Sequence, residues 1–333
     1  MSKLARVAIP TFTSQQVPLP SAARRTIPSR DDVIAFYRTH ERVGWSLTEV
    51  LDLDWRDIRV DALVPTDIDV VETALLVESN NPDYVVGLLD YFKVDQDVCD
   101  FLMMWGIEEW KHYYALYDYL TKVHTALAAK RDSSAGDGRL LEVERSVRAV
   151  LDRKIASVRE TSVQNWGIPD HYAPVQVVAN TTLQEFVTAD YYRNHAAHTK
   201  EPVLAKIESL LAKDESRHEM FYEQNARDLL ASDPSLMPLV VDALKEFGMP
   251  GVYLLDGWDE RRAAMEDAAF PTLAEKKKAF VRLFRKIGRL VGHKNALRVF
   301  SEGNYLADGF EDSGGRRLRP EFITRLLTRK LGA

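Results

Sequence analysis

Trp105-Gly-Ile-Glu-Glu-Trp-Lys-His112 and Asp214-Glu-Ser-Arg-His-Glu219 each set a Glu three residues before a His, and no other position in the 333 residues repeats that spacing. On an α-helix, residues three apart share a face, so Glu109 with His112, and Glu215 with His218, can reach one side of the same ion. The flanks match as well: an acid precedes each Glu (Glu108, Asp214), a base precedes each His (Lys111, Arg217), and aromatics follow at Tyr113, Tyr114 and Phe221. Similar distances upstream stand Glu78, in Leu75-Leu-Val-Glu78, and Glu185, in Thr182-Leu-Gln-Glu-Phe-Val-Thr188. An unpaired carboxylate in such apolar surroundings is costly unless it is neutralised or bound to a metal. Two Glu-x-x-His helices plus a Glu from each of two further helices is the arrangement of a carboxylate-bridged dinuclear site inside a four-helix bundle. Glu72 competes with Glu78 for the fourth position but lies six residues away, on a different face.

The surroundings agree with a bundle. Sixteen glycines, few alternating runs and long stretches of apolar residues at spacings of three and four predict an almost wholly helical chain. Helices are predicted over 32–50, 67–92, 96–129, 139–165, 171–198, 202–231, 235–247, 273–290 and 321–331. Asn80-Asn81-Pro82 is read as a kink in the second, with a break as the alternative, because Pro82 has no N–H for the ladder. Arg131–Gly138 and Asp312–Gly315 are loops of Gly, Ser and Asp. Neither requires a second domain, so residues 31–333 are read as one domain after an extended arm at 1–30, which holds four prolines and no acid.

Composition narrows the function. Forty-four Lys and Arg against 50 Asp and Glu leave a charge of −6, which speaks against a nucleic-acid binder. One cysteine, Cys99, excludes an intrachain disulfide and a Cys-rich zinc or iron–sulfur site, and suits a reducing compartment. No apolar run is long enough to span a bilayer. A cytoplasmic location is expected, with a plastid stroma as the alternative that the acid-poor start leaves open.

Four carboxylates and two imidazoles make a hard donor set that suits iron or manganese better than copper or structural zinc. Metal-bound His usually donates its second ring proton to a carboxylate. The pseudo-repeat assigns Asp214 to His112 across the bundle and Glu108 to His218.

With these motifs in place, the sequence resembles the soluble acyl-acyl carrier protein desaturases, a ferritin-like di-iron family. Glu78 with Pro82-Asp-Tyr84 matches the family's Glu before Pro-x-Tyr, and Trp105–His112 matches Trp-x-x-Glu-Glu-x-x-His. Leu183-Gln-Glu185-Phe-Val-Thr188 matches Phe-Gln-Glu-x-x-Thr except at its first residue, and Asp214–Glu219 matches Asp-Glu-Lys-Arg-His-Glu. Fainter echoes are Glu41-Arg-Val-Gly-Trp45 and Met249-Pro250, and residues 260–333 carry none.

The resemblance implies an all-α, ferritin-like bundle with flanking helices. It further implies two irons per chain on Glu78, Glu109, His112, Glu185, Glu215 and His218, and O2-dependent insertion of a cis double bond into an acyl chain on acyl carrier protein. It implies a ferredoxin-type electron donor and a homodimer. Thr188 would face the oxygen-binding side; the bland alternative is a helix Thr bonded to a carbonyl. Trp105 and Trp45 are candidates for an electron path or simply for core, and His195 and His198 are too far along the helix for the same metal layer. Lys276–Lys278, Arg282, Arg285, Lys286, Arg289, Lys294 and Arg298 form a basic island, and Arg316–Lys330 a second, that either dock an acidic carrier or are a solvated helix face. Other readings of the same ligands are a hydroxylating or N-oxygenating di-iron enzyme acting on a carrier-tethered metabolite, and a ferritin-like protein that binds metal without turnover.

Overall fold

The computed structural model describes residues 30–93, 95–130, 138–152 and 172–303. The expected arm at 1–30, apart from its last residue, the loop at 131–137, the end of the 139–165 helix, the loop at 312–315, the 321–331 helix and the second basic cluster lie outside them. Among the described residues there is no strand, and no helix is long and apolar enough to cross a membrane.

Four helices build the core: α3 (Pro65–Glu78), α5 (Gln96–Lys130), α7 (Pro174–His198) and α8 (Pro202–Ser232). Around them lie α1 (Arg30–Val43), α2 (Leu47–Leu51), α4 (Asn81–Tyr91), α6 (Gly138–Asp152), α9 (Met237–Glu246), α10 (Gly251–Leu254), α11 (Trp258–Ala269), α12 (Leu273–Val291) and α13 (His293–Glu302). The result is an all-α, ferritin-like bundle with flanking helices.

Helix starts are written in local chemistry. Pro65, Pro174 and Pro202 sit in the first turn, where a missing N–H costs nothing. Glu201 caps α8 by accepting from the N–H groups of Val203 and Leu204, which sets the short turn that folds α8 back along α7. Ser46 with Glu49 and Thr272 with Glu275 form capping boxes that start α2 and α12.

Asn80-Asn81-Pro82 is a break, the alternative to the expected kink. The N–H groups of Asp83 and Tyr84 both turn to the Asn80 carbonyl, at 2.9 and 3.2 Å, so the ladder restarts there as α4. The Asn81 side chain then ties the junction to α5 by donating to the Gly106 carbonyl. Glu78 thereby becomes the last residue of α3.

Two helices, α11 and α13, lie outside the spans predicted from the sequence. α11 fully buries little beyond Ala269, so it has no apolar period of its own. It follows Gly257, at φ 65°, and packs its Trp258 ring where a side chain on Gly251 would stand. α13 follows Gly292, at φ 81°, and buries Ala296, Val299 and Phe300.

The apolar interior falls into two bodies. Val98–Trp105 of α5, Val175–Leu183 of α7 and Phe221–Leu230 of α8 belong to one; Ala115–Leu127, Tyr191, Tyr192 and Val203–Ala212 belong to the other, with Ile68–Leu75 of α3. Between them on α5, α7 and α8, and at the end of α3, comes a polar layer: Glu78, Glu108, Glu109, Lys111, His112, Glu185, Asp214, Glu215 and His218.

Candidate metal centre

The structure brings the six candidate ligands into that layer. Donor atoms of Glu78, Glu109, His112 and Glu215 lie within 4.8 Å of one another, as do those of Glu109, Glu185, Glu215 and His218. Glu109 and Glu215 belong to both groups, so the arrangement is two overlapping four-donor pockets sharing two carboxylates. Glu72 is excluded: it is buried elsewhere and paired with Arg261 at 3.2 Å.

Both imidazoles point inward through the same nitrogen. His112 Nε2 lies 3.3 Å from Asp214 Oδ2, and His218 Nε2 lies 2.6 Å from Glu108 Oε2, the cross-bundle pairing that the pseudo-repeat demands. With Nε2 donating, each ring turns Nδ1 to the carboxylates: His112 Nδ1 is 3.3 Å from Glu215, and His218 Nδ1 is 3.0 Å from Glu109. Neither Nδ1 nor Glu109 Oε1 makes a hydrogen bond. Buried polar atoms are normally satisfied, so three orphans converging among four carboxylates fit a cation that completes them.

Electrostatics make the same case. Burial, then the Glu109 charge, raises the Glu78 carboxyl well above its ordinary value; burial, then Glu215, does the same for Glu185. Burial also opposes ionisation of Glu109, but His112 and His218 outweigh it and hold that carboxyl down to about 2. Both imidazoles are pushed well above their usual range, the carboxylates overcoming burial. The bare cluster therefore needs protons to exist, and a divalent pair would replace them.

Several contributors lack an assigned role in the sequence reading. Arg217 donates to Glu108 and Asp214 and so clamps the two outer carboxylates together. Lys111 lies 3.5 Å from Asp214 and donates to the Trp45 carbonyl, and its ammonium stands over the Trp45 ring. Trp45 in turn lies parallel to His112, centroids 6.3 Å apart. The signal for Lys111 and Arg217 was the shared base before each His; for His40, which bonds Glu108 from α1, there was none. Trp105 donates to Glu185 Oε1 at 3.1 Å, and Tyr192 donates to Glu78 Oε1 at 2.6 Å. His195 pairs with Glu208 at 2.6 Å and His198 with Glu275 at 3.0 Å, both away from the cluster.

A mostly apolar cavity of about 560 Å³ borders the layer, walled by α3, α7 and the 246–283 region. Glu78 is the one member of the six that lines it, with Thr188, Tyr192 and Phe186 close by. The Thr188 hydroxyl donates to the Gln184 carbonyl at 3.0 Å, so the bland contact and the cavity position are both present.

Part of the basic island pairs with acids of the same chain. Arg282 forms a bidentate pair with Asp190, Lys286 sits between Glu219 and Glu223, Lys276 pairs with Asp267, and Arg298 with Glu302.

Comparison with known proteins places these features. A curated relative, "Putative acyl-[acyl-carrier-protein] desaturase DesA2" of Mycobacterium tuberculosis, is 27% identical over 169 residues, in strains CDC 1551 and H37Rv alike. The match covers 51% of this chain and 52% of the relative, so the chain spans about half the length of the curated relatives it matches. The sequence profile of the family described as fatty acid desaturase matches residues 70–278, which include all six clustered carboxylates and imidazoles. The chain belongs to the fatty acid desaturase family.

Proposed function

We propose that this protein introduces a cis double bond into a fatty acyl chain carried on acyl carrier protein, using O2. The observation that carries the reading is the contact between two overlapping four-donor pockets and an apolar cavity, made at Glu78. Glu78, Glu109, His112 and Glu215 would hold one iron, and Glu109, Glu185, Glu215 and His218 the other. The pair supplies the oxidising power that an unactivated C–H bond requires.

The chain's own groups do the rest. Phe186, Phe280 and Leu283 wall the cavity and keep an alkyl segment dry beside Glu78. Thr188, on the cavity side of α7, is the hydroxyl placed to pass a proton there by leaving the Gln184 carbonyl. Asp214 and Glu108, held by Arg217, keep His112 and His218 in the tautomer that presents Nδ1. The reaction balances when two electrons from a ferredoxin-type donor join the two taken with the hydrogens of adjacent methylenes, reducing O2 to two waters.

A homodimer, a single domain over 31–333 and a cytoplasmic setting complete the reading. Docking of the acidic carrier falls to the exposed cations Lys278, Arg285 and Arg289 of α12. A ferritin-like protein without turnover has no use for a cavity at the ligands. The acidic groups Glu246 and Glu266 on the cavity wall favour a second reading, an oxygenase acting on a more polar carrier-tethered chain. Iron analysis with Mössbauer spectroscopy, then single turnover with stearoyl and palmitoyl carrier protein, separates them. About two irons per chain with an unsaturated product is the expected result; two irons with a hydroxylated product, or with none, overturns the desaturase reading.

A further inference from the structure

The two carboxylates that belong to only one pocket each are held differently. Glu185 accepts the indole N–H of Trp105, whose ring lies in the core against His218 and Tyr222. Glu78 accepts the hydroxyl of Tyr192, whose residue lines the 560 Å³ cavity. Tyr192 lies seven residues, two turns, after Glu185, so α7 supplies a ligand to one pocket and a clamp to the other from the same face.

We propose that Tyr192 is the positioning residue of Glu78, and that its hydroxyl sets the affinity of the Glu78–Glu109–His112–Glu215 pocket separately from that of its neighbour. The proposal rests on the metal-centre reading above. Glu78 is the last residue of α3, with the Ser79–Asn80 turn after it. A hydrogen bond to one carboxylate oxygen selects the rotamer in which Glu78 presents the other. The Tyr192 hydroxyl takes Oε1, and Oε2 is left facing His112 Nδ1 at 3.8 Å. Burial drives the clamp, since a phenol removed from water needs a partner, and Tyr192 is 1% exposed. Trp105 does the same for Glu185 from the opposite side, which provides a mirror control. An occupant of the cavity meets the residue that clamps Glu78, whereas Trp105 does not line that cavity.

The test is titration of metal-free protein with cobalt(II) chloride, followed by its d–d absorption and by competition with a chelating dye. Crystals grown at one equivalent per chain then locate the first ion by anomalous occupancy. Wild type should bind two ions. Tyr192→Phe should weaken one of them about 10- to 100-fold, the usual effect of losing a partner of a metal ligand, and leave the first ion at Glu185 and His218. Trp105→Phe should reverse that preference, and far-UV circular dichroism confirms that each variant folds. Two ions bound by Tyr192→Phe as by wild type, equal weakening of both, or an unchanged preference in Trp105→Phe overturns the clamp. Wild type that binds no cobalt overturns the metal-centre reading, and the clamp falls with it.

Discussion

Helices α7 and α8 meet in two buried polar places, and these behave in opposite ways. At one, His195 of α7 faces Glu208 of α8 at 2.6 Å, with the Asp67 charge acting on both and Glu208 Oε2 left without a hydrogen bond. At the other, Glu185, Glu215 and His218 join Glu78, Glu109 and His112, with four carboxylates for two imidazoles and both Nδ1 atoms unsatisfied. Both places are buried among the same helices and are built from the same residue types. The difference is convergence: one imidazole bonded to one carboxylate serves the fold, whereas acids whose donor atoms meet within 4.8 Å of one another and of an imidazole call for a cation among them.

The sharpest way to break this comparison is Glu109→Ala, which removes an oxygen donor from both pockets. Iron content should fall from about two per chain to none, and activity with it, while Glu208→Gln keeps its iron. Full iron in Glu109→Ala sinks the site assignment. Next comes His195→Gln, which leaves Glu208 without its partner and should cost about 3 kcal/mol in chemical denaturation, with iron content unchanged. If iron is lost instead, the two places are not separate.

Asp214→Asn sharpens the picture at the cluster's edge. It removes the carboxylate behind His112, and iron affinity should drop about 10- to 100-fold without loss of stoichiometry at saturation. An equilibrium dialysis series reads this directly.

The His195 pair also titrates in a defined direction. Burial, joined by the Asp67 charge, raises Glu208 above its usual value, and Glu208 overcomes burial to raise His195. The folded state thus holds protons that the unfolded chain has released. Stability from the pair is complete below the ordinary carboxylate value, begins to decline above it through Glu208, and declines further past the usual His value through His195. The stability difference between metal-free wild type and the His195→Gln/Glu208→Gln double variant should shrink from pH 5 to pH 8; a difference that grows contradicts the assignment. The smallest effect is expected on the surface. Arg285→Glu should raise the apparent KM for carrier-bound substrate a few-fold at low salt, fading at high salt. Arg282→Glu should also lower stability, because it opposes Asp190.

Much of the site was legible because a helix converts sequence spacing into direction. Glu109 with His112 and Glu215 with His218 had to share faces, and Glu78 and Glu185 stood out as acids in apolar runs. Even the crossed support of His112 by Asp214 followed from the pseudo-repeat. Other features had no local signature. α11 was missed because it buries too little to show a period, and its place is decided by α3 and α7. The α12 cations resembled an open island because sequence does not show that Asp190 and Glu223 stand opposite them.

The sequence by itself determined an all-helical chain with six metal-type donors at the right spacing, since helical periodicity and residue chemistry are properties of neighbours in the chain. Only the tertiary structure decided which charges are spent on each other and which are left over. It joined Tyr192 to Glu78, Arg217 to Glu108 and Arg282 to Asp190 across 114, 109 and 92 residues. Electrostatic satisfaction depends on distance in space, and packing sets that distance.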